Sequence, residues 1–207
     1  MTRSLGFKTG WMAAKGVDPR AFAEALGLRD PRPCNWEVGV AAAYSRGPND
    51  DAFVVPPVDG WVLCVSVGVM LLDPSTLVRY TTRTAERLDT EVQLFATHRV
   101  SESHTWAMAL PSGIRRAFSW AGDSGEQVLD LGDRTPGETA VFGPGDIAPQ
   151  VDEQSVMALA SAWSVDPSRL GEREDLADEG LVATFVEPTF PRPATAPAPR
   201  KPWWKLW

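Results

Sequence analysis

Apolar and polar positions change their period along the chain, and those changes mark out the elements. SLGFKTGWMAAKG (4–16) reads as a strand. Asp18-Pro19 then supplies a helix N-cap with proline in the first helical position. AFAEALGL places Phe22 and Leu26 on one face of that helix, and Gly27 stops it. CNWEVGVAAAYS (34–45) predicts a short helix capped by Asn35, followed by a loop, SRGPNDD (45–51). AFVVPPVDGWVLCVSVGVMLLD (52–73) predicts two strands about a PPVDG turn, because consecutive prolines cannot join a ladder and Asp-Gly favours a turn. The second of these strands is almost continuously apolar, which predicts burial on both faces. Asp73 or Ser75 caps the next helix, whose inner stripe is Leu77, Thr81, Ala85 and Leu88.

Residues 91–131 predict an antiparallel meander. Its strand-like runs cover 91–100, 104–113, 114–123 and 126–133, separated by the turn-type spacers SES, PSG and GDSG. Trp106, Met108 and Leu110 alternate with small or polar neighbours, as do Phe118 and Trp120, which predicts one packed face and one wet face. PGETAVFGPGDIAPQ (136–150) reads as loop-rich. Asp152 caps a helix that carries Val156, Leu159, Ala160 and Trp163 on one stripe, and Asp166-Pro167 ends it. LVATFVEP (181–188) predicts a last strand. The fold class expected is α+β: an antiparallel sheet packed with several helices, plus an extended proline-rich C-terminal tail. One domain over 1–187 is followed by a Pro/Ala-rich linker, 188–202, and a terminal Trp-rich docking motif, 203–207.

Composition excludes some classes. Hydrophobic residues make up 43% of 207, too apolar for general disorder. No apolar run reaches the ~18–20 residues of a membrane span, and the first residues lack the apolar core of a signal peptide. The expectation is a cytoplasmic protein. Cys34 falls in a loop and Cys64 in the apolar strand; a reducing cytosol argues against their pairing. Charge is unevenly placed. Residues 1–120 carry 13 basic and 12 acidic side chains, 121–187 carry 3 and 15, and 188–207 carry 4 and none. The acidic region opposes nucleic-acid phosphates and suits a protein partner with a basic surface.

Candidate chemistry is sparse. His98 and His104 flank Glu102 in THRVSESHTW. Across a hairpin they form the one constellation suited to metal or acid/base work, although their spacing matches no standard zinc pattern. Esterase-elbow, zincin, Walker and dinucleotide motifs are absent. No metal site and no cofactor are expected. Glu172, Glu174, Asp175 and Asp178 lack the spacing of a calcium loop and read as a solvated acidic face open to a partner. The chain ends RKPWWKLW. Trp203, Trp204 and Trp207, with Lys205 among them, follow a spacer too rich in proline to fold alone. Exposed indoles are adhesive, so they fold back onto the acidic region, enter an aromatic-accepting pocket of another protein, or touch a membrane interface peripherally.

FATHRV-x-E-x-H-x-W (95–106), with GFKTGWMAAKG, PPVDGW and AWSVDPSRL, resembles a family of uncharacterised bacterial proteins over most of 5–170. That family has no established activity, so the resemblance implies no catalytic residue. PWWKLW resembles a tail carried by assorted bacterial proteins with different bodies, which implies a portable docking element. Size, acidity and tryptophan content loosely resemble immunity proteins of bacterial toxin systems. The function expected is therefore a non-catalytic, immunity-like or accessory binding protein of a bacterial toxin or defence system. The alternative is a metal-dependent or acid/base enzyme centred on His98, Glu102 and His104.

Overall fold

A computed structural model describes residues 5–45, 51–177 and 179–190. Asp178, the spacer from 191 onward and the terminal Trp203, Trp204, Lys205 and Trp207 lie outside the described residues. The fold is α+β, built on a nine-stranded antiparallel sheet.

In chain order the strands are β1 (Gly10–Lys15), β2 (Arg29–Asn35), β3 (Asp51–Val54), β4 (Trp61–Ser66), β5 (Val92–His98), β6 (Ser103–Leu110), β7 (Gly113–Ala121), β8 (Glu126–Leu131) and β9 (Glu179–Thr184). The helices are α1 (Pro19–Ala25), α2 (Trp36–Ala43), α3 (Val67–Met70), α4 (Pro74–Leu88), α5 (Pro136–Phe142) and α6 (Glu153–Trp163). Across the sheet the strand order is β2-β9-β3-β4-β1-β5-β6-β7-β8. The late strand β9 therefore lies between two early ones. Glycine makes room there: a Cβ on Gly180 would come within 2.5 Å of the Phe53 ring, and one on Gly39 within 2.2 Å.

The two faces of the sheet carry separate cores. Met12, Ala14, Val62, Cys64 and Leu94 face α1 and α4, meeting Phe22, Leu77 and Tyr80. Trp11, Leu63, Phe95, Trp106 and Phe118 face the other way, toward α2, α5 and α6. Rings stack through this second layer: Trp11 on Phe95 at 5.1 Å, and Trp106 between Phe118 at 4.5 Å and Phe142 at 5.4 Å. Each such ring removes a large apolar area from water and adds a geometric preference to the burial.

The caps fall where the sequence places them. Asp18 Oδ1 accepts from Arg20 N at 2.8 Å, Asn35 Oδ1 from Val38 N at 3.0 Å, Asp73 Oδ1 from Thr76 N at 3.0 Å and Asp152 Oδ1 from Ser155 N at 2.7 Å. Other expectations are corrected. Residues 5–9 leave the strand because Gly6 and Lys8 have φ of 95° and 50°. The apolar run after Ser66 turns into α3, since the Ser66 hydroxyl accepts from Gly68 N at 3.1 Å and caps it. DPRPCN forms β2 rather than a loop; its prolines are tolerated because β2 is an edge strand. The meander has no wet face at its centre. Ala107, Ala109 and Ala117 are fully buried, small so that α4 can approach the sheet.

Residues 136–142 form α5 rather than loop, through a reciprocal cap between Thr135 and Glu138. Glu138 is fully buried. Its Oε1 accepts from Trp106 Nε1 and Arg116 Nε, both at 2.8 Å, and its Oε2 from Thr135 N at 2.8 Å and Oγ1 at 2.9 Å. Arg116, 2% exposed, also donates to Asp130 and to the carbonyls of Leu131 and Gly132. Burial works against the guanidinium charge, but hydrogen bonds to Asp130 and Glu138 outweigh it and hold the Arg116 pKa above its ordinary value. The pair thus bolts α5 and β8 to the middle of the meander.

Cys34 and Cys64 are buried and free. Three strand spacings separate β2 from β4, ~14 Å, well beyond disulfide reach. Burial pushes the Cys64 pKa up to about 12. Two outcomes follow from this architecture. Glu138→Ala strands a buried arginine and lowers the unfolding free energy in urea by about 3–5 kcal/mol, and Arg116→Met with Glu138→Leu restores more than half of it. Both thiols stay unreactive to an aromatic disulfide reagent in buffer and react fully in denaturant.

Candidate functional site

The hairpin register decides the fate of the histidine cluster. Thr97 pairs with His104, and His98 with Ser103. Directly paired residues share a face and neighbours alternate, so His98 and His104 lie on opposite faces of the sheet. His98 Nδ1 meets Ser101 Oγ at 2.8 Å. His104 is buried, with Nδ1 2.9 Å from Thr97 Oγ1 and Nε2 3.4 Å from Glu102 Oε2. Thr97 Oγ1 in turn lies 3.4 Å from Glu153 Oε1, which accepts from Lys8 N at 2.8 Å. The expected triad is therefore divided: Glu102 and His104 meet, while His98 turns away. Among the described residues no group of three His, Cys, Asp or Glu side chains is placed to hold a metal ion.

Through Thr97, His104 is linked to the start of α6. Desolvation lowers its pKa, and the Glu102 carboxylate pulls partly the other way. Burial thus favours the neutral form of the ring.

The acidic residues fall around the 3-10 helix Pro167–Glu172 and the segment after it. Glu172 and Glu174 are exposed. Arg169 Nε reaches Glu172 Oε2 only at 3.9 Å, a surface pair of little strength. Asp175 is differently employed. Arg173 Nε donates to Asp175 Oδ1 at 2.7 Å, and Arg173 Nη2 donates to Asp59 Oδ1 at 3.0 Å. This double clamp fastens the segment to the Asp59-Gly60 turn between β3 and β4 and lowers the Asp175 pKa, chiefly through the Arg173 hydrogen bond. Of the acidic group, Glu172 and Glu174 stay exposed outside this clamp, and Asp178 lies outside the described residues.

Beside this segment lies a groove of about 380 Å³ lined by Trp36, Glu37, Leu170, Gly171, Leu176 and Ala177, with Asn35 and Arg173 at its edge. Asn35 positions Trp36 by capping α2, and Trp36 packs edge-on against Phe53 at 5.5 Å. The Trp36 indole N–H is buried with no acceptor among the described residues. Reading the sequence missed this groove, because its two walls are far apart in the chain. The surviving signal is a tryptophan just inside a helix cap, where an aromatic ring is not needed for the helix itself.

A smaller cavity of about 190 Å³ lies between α1, α4 and residues 186–190. The chain stays packed there beyond Pro188. Phe190 lies under the guanidinium of Arg79 at 4.5 Å and that of Arg83 at 5.8 Å, so the linker expected from 188 begins as part of the body. At the far end of the sheet, edge strand β8 exposes Val128 and Leu131. No helix among the described residues is long and apolar enough to cross a membrane. No family model, curated protein or solved structure matches the chain.

The buried imidazole sets a pH dependence. In the unfolded chain the ring protonates near its ordinary pKa of about 6.5, and in the native state only at lower pH. The unfolded state therefore binds more protons below about pH 6.5, and stability falls as pH is lowered through that range. His104→Asn removes this part of the loss in urea titrations between about pH 7 and pH 5, and Glu102→Gln steepens it.

Proposed function

We propose that the chain is a non-catalytic cytoplasmic binding protein, an immunity-like or accessory factor of a bacterial toxin or defence system. Its acidic surface meets a basic protein, and its terminal Trp203, Trp204, Lys205 and Trp207 add an aromatic anchor to that contact. The observation that carries this reading is the uncompensated acidic surplus of residues 121–187. All three cations there are already engaged: Arg173 with Asp59 and Asp175, Arg169 with Glu172, and Arg134 with the Gly145 carbonyl at 2.7 Å. Exposed carboxylates such as Asp123, Asp133 and Glu174, with Glu172 only weakly held by Arg169, project a negative field. Such a field speeds encounter with a positive partner and weakens with salt. The apolar groove beside Glu172 and Glu174 supplies what charge alone does not, a desolvated contact of the kind that holds a complex together.

Two buried thiols held far apart fit a reducing compartment. The acid/base alternative rests on the Glu102–His104 pair alone, since His98 lies on the other face of the sheet.

The test is capture of partners from the native host by the intact chain and by two variants. Glu172→Lys with Glu174→Lys lowers affinity for the captured partner about tenfold and flattens its salt dependence. Replacement of Trp203, Trp204 and Trp207 by alanine lowers it by about 30-fold or more, since truncated hot-spot indoles cost ~2 kcal/mol or more. A partner bound equally by all three proteins removes both surfaces from the reading.

A further inference from the structure

The groove at the start of α2 has a lining with a definite chemistry. Trp36, Leu170, Leu176 and Ala177 give it apolar lining. Glu37 adds a carboxylate to that lining, and Glu172 and Glu174 are exposed next to it in the chain. The lining's single cation, Arg173, is already paired with Asp59 and Asp175. At about 380 Å³ it lies at the small end of ligand-binding clefts. A complementary ligand is thus a short peptide with an aromatic side chain and flanking cations.

This chain carries such a peptide. Residues 200–207, RKPWWKLW, hold three cations and three indoles in eight positions. Length permits the return. Thirteen residues separate the groove residue Ala177 from Phe190, the last described position, and thirteen more lead from Phe190 to Trp203. The segment leading away from the groove and the segment available to come back therefore have equal contour length, at most ~45 Å when extended. The proline content of the returning half limits the entropy lost on docking.

We propose that the chain's own residues 200–207 rest in this groove, an indole over Trp36, Leu170 and Leu176 and the lysines and arginine against Glu37, Glu172 and Glu174. The contact is intramolecular. It belongs to the free chain and gives way when the tail engages a partner, and its failure and that of the partner reading are separable: the experiment below uses the purified chain alone.

Hydrogen exchange is compared between the intact chain and the variant in which Trp203, Trp204 and Trp207 are alanine. Amides of 36–40 and 170–177 exchange about tenfold faster in the variant, while those of β5–β7 are unchanged, as loss of a contact worth about 1.4 kcal/mol requires. The reciprocal arm is limited trypsin cleavage after Arg200 and Lys205. Leu176→Lys, which places a like charge in the groove, accelerates it several-fold. Equal exchange in the two chains, or equal cleavage with and without Leu176→Lys, overturns the proposal. So does protection that disappears on dilution, which would move the contact to a second copy. The alanine substitutions lie outside the described fold, so the exchange arm stands even if Leu176→Lys does not fold.

Discussion

A sheet that is apolar on both faces must be covered twice, and most of this molecule follows from that demand. β4, β1 and β5 form its middle, and their side chains point alternately into two cores. One face takes α1 and α4, the other α2, α5 and α6. With two apolar layers filled, charge is driven to the margins. The exception is the Arg116–Glu138 pair, which survives burial because every oxygen of the carboxylate has donors and the guanidinium is held by carboxylates and carbonyls. A buried ion pair of this kind adds little net stability over an apolar pair, yet either half alone is costly. Its role is to select one arrangement of α5 and β8 against the sheet.

What was legible in the sequence was local. Asp18, Asn35, Asp73 and Asp152 announce helices because a cap is written in two or three adjacent residues. The meander shows because its turns are short and its strands consecutive. What escaped depended on distant neighbours. Pro31 and Pro33 argue against a strand unless that strand is known to be an edge. Ala107 and Ala117 look outward until α4 is laid over them. Thr135 and Glu138 had the spacing of a capping box, so α5 was readable; the glycines and prolines around it hid the signal. The groove was illegible for the same reason as β2, since Trp36 and Leu176 become neighbours only when β9 enters the sheet beside β2.

The histidines show how register turns proximity into separation. Six residues apart on a hairpin, His98 and His104 are near in space yet divided by the sheet itself. Thr97 has become the structural link from His104 to the α6 terminus, and Glu102 is the exposed neighbour of the ring. The acidic segment after Pro167 is likewise part structure and part surface. Arg173 spends its charge on Asp59 and Asp175, which anchors the segment and leaves Glu172 and Glu174 to define the outward field.

The position of β9 reaches beyond the finished fold. It pairs with both β2 and β3, yet among the described strands it comes last in chain order. While a nascent chain emerges from the ribosome, β2 and β3 wait without the strand that joins them, their hydrogen-bonding edges open to mispairing. Assembly of this half of the sheet therefore waits on β9, and a chain cut short before Glu179 is client material for chaperones and proteases rather than a smaller working protein.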